Sequence, residues 1–408
     1  MNLKTSLLNS LLRAITLASK LFLLVYLAKR LLPEEIGLWG IFSASVNYAL
    51  YFIGLDFYTY ANREIIGQSK VCWPAIIRDQ SLFYLFSYII AIPILSSIFI
   101  YKIIDWQYFK WFFLILTLEH LSQETTRLLI ALQYPLHATM VLFMRSGAWV
   151  YAVIIIMVTI PESRTLITVF AGWSIGVGSG LIIAIIILSN LDWRQAFSSP
   201  PNWKWIIRGI ETSIPFFIGT LALRGTYTLD KFFLKFNWGE MYVGIYSFYL
   251  SITTSLQYLI DAAVLFIYFP KVISFYKNDQ LDSYRSYLRK MSYQICILVS
   301  LFIFALGLLI WPMLSYINKA SYNEHIGVFW LLLLSNGLIA LASSAHLSLY
   351  SIGQDRIILT ANLLSFFISL IAFSIFIPIF GAEGAAFSIL ISSSYLFFYK
   401  KYKCNKLF

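Results

Sequence analysis

The sequence predicts an all-α polytopic membrane protein with twelve transmembrane helices in two six-helix bundles. Three observations carry that reading. The 408 residues are 60% hydrophobic and only 12% charged, whereas soluble domains carry about 25% charge. Apolar runs near the length of a bilayer-crossing helix recur from end to end. The connection NLDWRQAFSSPPNWKW (190–205), with its Pro-Pro pair and Ser cluster, marks a linker between residues 1–200 and 201–408.

The expected spans are 7–29, 36–61, 79–101, 107–132, 137–160, 165–190, 206–236, 241–269, 288–316, 325–352, 357–378 and 381–399. Short alternating segments, the mark of an outer-membrane barrel, are not the pattern here. The first run is long, bears cations and lacks a small-residue cleavage site, so it is expected to stay as the first span. Lys and Arg set the orientation. Lys4, Arg63, Lys70, Arg78, Arg127, Arg194, Lys204, Arg208, Lys271, Lys277, Arg285, Arg289, Lys290, Arg356, Lys400, Lys401, Lys403 and Lys406 fall on one side. Lys29, Arg30, Lys102, Lys110, Arg164, Lys235 and Lys319 fall on the other, so 18 against 7 place both termini in the cytoplasm. The same rule accounts for most of the net charge of +11, and no nucleic-acid partner is expected. The longest connections, 190–205 and 270–287, are then cytoplasmic, and the external ones are too short for a catalytic domain.

Within the first run, Asn2, Ser6, Asn9, Arg13, Thr16 and Lys20 share one helical face. Polar groups on such a face must meet protein or water. Span seven repeats the spacing with Thr220, Arg224, Tyr227 and Lys231, beside Asp230. The expectation is that the first helix of each half lines a shared cavity with Arg13, Lys20, Arg224 and Lys231, a set that suits an anion. Each has a plainer alternative: Arg13 can snorkel to the interface, and Lys231 can pair with Asp230. Asp56 is a partner for a span-one cation or an interfacial group. Glu119 and His120 suit a proton pathway or a polar knot. Arg127 and Arg145 read as interfacial, and Asp261 and His346 as packed, hydrogen-bonded groups. The run GWSIGVGSG (172–180) reads as close helix packing.

A weak internal echo supports two parallel halves. PEEIGLWGIFSA (33–44) and EMYVGIYSFYLS (240–251) align with Gly37 on Gly244 and Gly40 on Ser247. Cys72, Cys296 and Cys404 show no metal spacing and, being odd in number, no full disulfide framework. No Walker loop, nucleotide fingerprint, zinc spacing or nucleophile elbow is present, so neither enzyme chemistry nor a cofactor or metal is expected.

The stretches LAKRLLPEEIGLWGIF (27–42), GLDFYTYANREI (54–65), ETTRLLIALQYPLHATM (124–140), TLDKFFLKFNWGEMYVGIYSF (228–248) and YFPKV (268–272) give the chain a resemblance over nearly its whole length. It resembles the Wzx-type polysaccharide (O-antigen or capsule) flippases, in the superfamily of the MATE exporters and MurJ, with Lys231 where the family's usual pattern has Arg. The resemblance implies a MATE-like fold in a bacterial inner membrane. It also implies alternating access and an undecaprenyl-diphosphate-linked oligosaccharide as cargo, moved from the cytoplasmic to the periplasmic leaflet. Its partners would be membrane lipids, a polysaccharide polymerase and a chain-length regulator. MurJ relatives have two further helices, which makes lipid II the less expected cargo. Coupling to an H+ or Na+ gradient is open to Asp56, Glu119, Asp230 and Asp261, with none distinguished. The alternative is a MATE-like ion-coupled exporter of small organic cations, which calls for cavity carboxylates that the first span does not have.

Overall fold

The computed structural model describes residues 3–407; Asn2, at the head of the polar stripe, and the Ser6 side chain lie outside the described residues. Helix α1 (Leu3–Arg30) ends on Lys29 and Arg30, cations at the end where the helix dipole favours them. Helix α2 (Pro33–Gly54) begins with proline and two acids, Glu34 and Glu35. Glu35 also accepts the Leu32 N–H at 2.9 Å, satisfying a backbone donor at the helix entrance. The helix stops at Gly54 because Leu55 and Asp56 take left-handed φ values of 45° and 51°. Helix α3 (Tyr58–Gly67) follows, so the single span expected over 36–61 is two helices.

Helices α4 (Trp73–Ile100) and α5 (Phe109–Ala131) come next. Helices α6 (Pro135–Phe143) and α7 (Trp149–Thr159) form one stretch joined by a π-helical turn at Met144–Ala148. Helix α8 (Leu166–Leu188) leads to the linker, where a short α9 (Trp193–Ser198) forms. After α10 (Trp203–Trp238), α11 (Glu240–Thr253), α12 (Ser255–Ile260) and α13 (Phe266–Lys277) run on, with a second π turn at Asp261–Leu265. Helices α14 (Leu281–Ile317), α15 (Ala320–Glu324), α16 (Ile326–Ser351) and α17 (Asp355–Leu407) complete the chain.

Among the described residues, ten helical stretches are long and apolar enough to cross a membrane. Helix α5, which carries Lys110, Glu119, Glu124 and Arg127, is not one of them. Helix α17 counts as one stretch although Gly381, at φ 56° and ψ −126°, breaks it between the expected 357–378 and 381–399. The long connection expected over 270–287 is instead helical on both sides of Asn278-Asp279-Gln280. Its lysines and arginines carry helix beyond the apolar stretch, because straight-chain cations are good helix formers.

The chain divides into two compact units, residues 1–23 with 41–221, and residues 24–40 with 222–408; the boundaries fall inside α1, α2 and α10. In the first, Phe57 stacks on Phe83 at 4.4 Å and packs with Tyr84 and Ile206. Gly209 sits where a Cβ would strike the Phe57 ring. The linker is pinned to the start of α4. Arg78 donates to the carbonyls of Ala196, Ser199 and Pro200, and Asp79 accepts the Asn202 N–H at 3.1 Å.

In the second unit, Leu256, Val264, Met291, Ile295 and Leu347 make a buried core. The two echo segments meet each other here. A Cβ on Gly37 would lie 2.0 Å from the Glu240 carbonyl oxygen, and one on Gly244 would lie 1.8 Å from that of Pro33. A Cβ on Gly40 would strike Ser247. Each glycine therefore opposes the carbonyl four residues before the other, the reciprocal pattern of a two-fold contact. Between apolar helices in lipid, such close backbone approach supplies the packing that the hydrophobic effect cannot. Lys319 adds a clasp, donating to the Ala28 carbonyl at 2.7 Å and to that of Leu31 at the end of α1. Lys29 lies 3.5 Å over the Tyr316 ring. Burial lowers the Lys319 pKa from its ordinary value, with Glu35 and Glu34 pulling it back up.

Candidate functional site

The first unit places the polar stripe of α1 against the π turn between α6 and α7. The Thr16 Cα lies 3.3 Å from where a Gly147 Cβ would stand, so Gly147 admits the α1 backbone. Thr16 is buried and turns its hydroxyl back to the Leu12 carbonyl at 2.7 Å. Asn9 is buried too, and Arg13 is half-buried. Ser19, next along the helix, hydrogen-bonds to the Tyr151 hydroxyl at 2.9 Å.

Lys20 is exposed, and its charged neighbours are Arg145 and Glu119. The Glu119 carboxylate is already occupied: it pairs with the Arg145 guanidinium and accepts Trp173 Nε1–H at 2.6 Å. Arg145 is carried by the π turn, an element that often marks functional sites. Its side chain is only 14% exposed and pairs with Glu119. Two cations, Arg145 and Lys20, thus lie near one acid.

A second polar group lies further along α4 and α5. Glu124 accepts from Tyr84 and from Arg127, the latter at 2.5 Å, and Gln80 donates to it at 3.3 Å. Arg127 also lies 3.5 Å over the Tyr58 ring. Tyr88 and His120 Nδ1 are 2.9 Å apart, while His120 Nε2 is buried with no hydrogen-bond partner among the described residues. Asp56, only 3% exposed, sits at the left-handed break before α3.

In the second unit, Asp230 is fully buried and accepts the Tyr246 hydroxyl at 2.6 Å and the Lys231 backbone N–H at 2.7 Å. The Lys231 ammonium is 3.2 Å from Asp230 and donates to the Tyr227 carbonyl at 2.8 Å. Lys231 is buried at 6% exposure, so its charge is neutralised where it stands. Arg224 and Asp261 differ. Both are exposed, and Arg224 is the charged neighbour acting on Asp261, which opens the second π turn. Tyr227 is half-buried, while Thr220, also half-buried, falls in the first unit.

Glu124, Arg145 and Trp173 are the interacting residues that sequence spacing does not flag. Glu119 and Arg145 are 26 residues apart and Glu119 and Trp173 are 54 apart, so no helical period links them.

No protein-family model matches the chain, and no curated protein sequence matches it. Solved structures do. A multidrug resistance MATE family transporter of the MOP superfamily in its inward-facing conformation aligns with a TM-score of 0.74 at 12% identity, covering 98% of each chain. An outward-facing conformation of such a transporter gives 0.62 at 15% identity, over 99% of this chain and 96% of that one. A MATE structure in the bent conformation gives 0.60 at 12% identity, over 100% and 99%. At such identities the likeness is one of fold, and the chain is an all-helical, multi-pass membrane protein folded as the MATE transporters are.

Proposed function

We propose that this chain is a flippase that moves an undecaprenyl-diphosphate-linked oligosaccharide from the cytoplasmic to the periplasmic leaflet for O-antigen or capsule assembly. It crosses a bacterial inner membrane twelve times, with six spans in residues 1–200 and six in 201–408 and with both termini cytoplasmic. Helix α5 and the two parts of α17 on either side of Gly381 are counted in the twelve. The full-length likeness to transporters caught facing inward and outward supports movement by alternating access.

The observation that carries the reading is Lys20. It is exposed in the middle of an apolar helix beside an acid already committed to Arg145 and Trp173. A cation on an apolar helix must meet protein, water or an anion, and an exposed one on the polar stripe of α1 suits contact with an anionic cargo. Arg224 is the corresponding exposed cation of the second unit, and its planar guanidinium suits bidentate contact with phosphate. Arg13 stands about two turns before Lys20 on the same stripe. The polymerase and chain-length regulator of surface-polysaccharide assembly are the partners this activity implies.

Export of small organic cations is the second reading, favoured by the likeness in fold to a multidrug resistance transporter. It calls for reachable carboxylates; Glu119, Glu124 and Asp230 are each tied to a neighbouring cation, which leaves the exposed Asp261 to serve it.

Deleting the gene in its host, with neighbouring glycosyltransferase genes intact, is expected to cause accumulation of lipid-linked repeat units on the cytoplasmic leaflet. Complementation with Lys20→Glu is expected to fail. Normal surface polysaccharide in the deletion strain would overturn the proposal.

A further inference from the structure

Two lysines are buried among the described residues, Lys231 and Lys400. Lys231 has Asp230 beside it. Lys400, near the end of α17 and 5% exposed, is held by neutral groups instead. Its Nζ is 3.3 Å from His346 Nδ1 on α16 and 3.3 Å from Asn362 Oδ1 in the first part of α17. An ammonium can only donate, so His346 Nδ1 accepts and the ring is neutral, with its own proton on Nε2. The other titratable groups nearby are engaged elsewhere. Ser348 of α16 meets the Tyr284 hydroxyl of α14 at 3.1 Å and Cys404 Sγ of α17 at 3.4 Å. On α17 itself, Glu383 pairs with His325, Asp355 is exposed at the helix start, and Lys401 and Lys403 lie over the Phe397 and Tyr399 rings. On α11, which also packs against α17, Glu240 pairs with Lys235, Tyr246 donates to Asp230, and Tyr249 donates to the Tyr322 carbonyl.

From this geometry we infer that Lys400, with His346 and Asn362, is a proton-binding site through which the chain draws on a proton gradient. The inference rests on the flippase reading and supplies the coupling residue that reading leaves open. A neutral amine has two N–H donors and an ammonium has three. His346 Nδ1 and Asn362 Oδ1 are two acceptors, so they satisfy the neutral form completely. Release breaks one N–H bond, leaves the electron pair on Nζ and passes the proton to water; capture reverses the step. Neither direction breaks a hydrogen bond to His346 or Asn362. A metal cation does not suit a site whose central group is a donor, and an anion has no room beside so buried a side chain. A proton needs no room. Lys400 also ties together the two parts of α17, on either side of the Gly381 break, and α16. A change in its charge therefore acts on three helical segments at once. The carboxylates Glu119 and Asp230 suit this task less, since each compensates a neighbouring cation.

The test uses the full chain in liposomes, with a fluorescent undecaprenyl-diphosphate-linked oligosaccharide as the probe and a pH difference across the membrane. With one proton exchanged per cargo, a difference of about one pH unit is expected to enrich the probe about tenfold in the leaflet facing the acidic side. Lys400→Arg, whose guanidinium does not give up its proton, is expected to abolish that enrichment. Lys400→Met, which carries no proton at all, repeats the measurement should Lys400→Arg alter folding. Enrichment by either variant equal to that of the wild type overturns the coupling role and leaves the flippase reading standing. So does a wild type that equalises the leaflets but ignores the gradient, and so does the failure of both variants to equalise them without a gradient. No movement of the probe by the wild type removes both.

Discussion

Two cations and one carboxylate meet where Lys20, Arg145 and Glu119 come together, and the three side chains have unequal tasks. Arg145 and Glu119 form a mostly buried pair, and breaking such a pair by removing one partner costs about 3–5 kcal/mol, because the other charge stays behind uncompensated. Arg145→Met is therefore expected to lower the thermal stability of the detergent-solubilised chain sharply. Lys20→Met is expected to stay within about 0.5 kcal/mol of the wild type, as exposed substitutions do, and yet to abolish complementation of the deletion strain. Thermal unfolding followed beside complementation separates the two effects. Lys20 and Arg224 were visible in the sequence because a cation in an apolar run has no camouflage. The pairing of Glu119 with Arg145 was not, since partners on different helices leave no local spacing. Lys231 illustrates the reverse. Its position matched the stripe, but an adjacent Asp230 and the Tyr227 carbonyl one turn back were enough to absorb its charge.

The crossing of α2 and α11 is the element in which sequence and structure agree most usefully. The echo that aligned Gly37 with Gly244 is explained by their contact, since a reciprocal crossing demands the same small residue on both sides. Gly37→Ala and Gly244→Ala each place a methyl group against a backbone carbonyl that has no rotamer to yield. Each is expected to cost about 1–3 kcal/mol by overpacking. Gly178→Ala in α8 meets nothing within 4 Å and is the control expected to leave thermal stability unchanged. Helix existence was legible from the apolar runs, whereas interruptions were harder to read. The break at Leu55-Asp56 uses left-handed residues that are not glycine, and π turns follow no hydrophobic period. The connection over 270–287 was overestimated because charged residues ended the apolar pattern without ending the helix.

At the scale of the whole molecule, each unit pairs interior ions within itself: Arg145 with Glu119 and Arg127 with Glu124 in the first, and Lys231 with Asp230 in the second. The orientation drawn from Lys and Arg is open to a direct check through the exposed Cys72, which neighbours Lys70 and Arg78 in sequence. In a variant retaining only that cysteine, a membrane-impermeant maleimide is expected to label inverted vesicles and to leave intact spheroplasts unlabelled. Labelling of the spheroplasts instead would reverse the topology. The central claim is that exposed cations of an α-helical MATE-like fold serve the transfer of an anionic lipid-linked sugar between leaflets. It is tested most directly by reconstituting the purified chain in liposomes that hold a fluorescent undecaprenyl-diphosphate-linked oligosaccharide, and following its exposure on the opposite leaflet. The account predicts translocation by the wild type and none by Lys20→Glu at equal reconstitution. Equal rates for the wild type, Lys20→Glu and protein-free liposomes would contradict it.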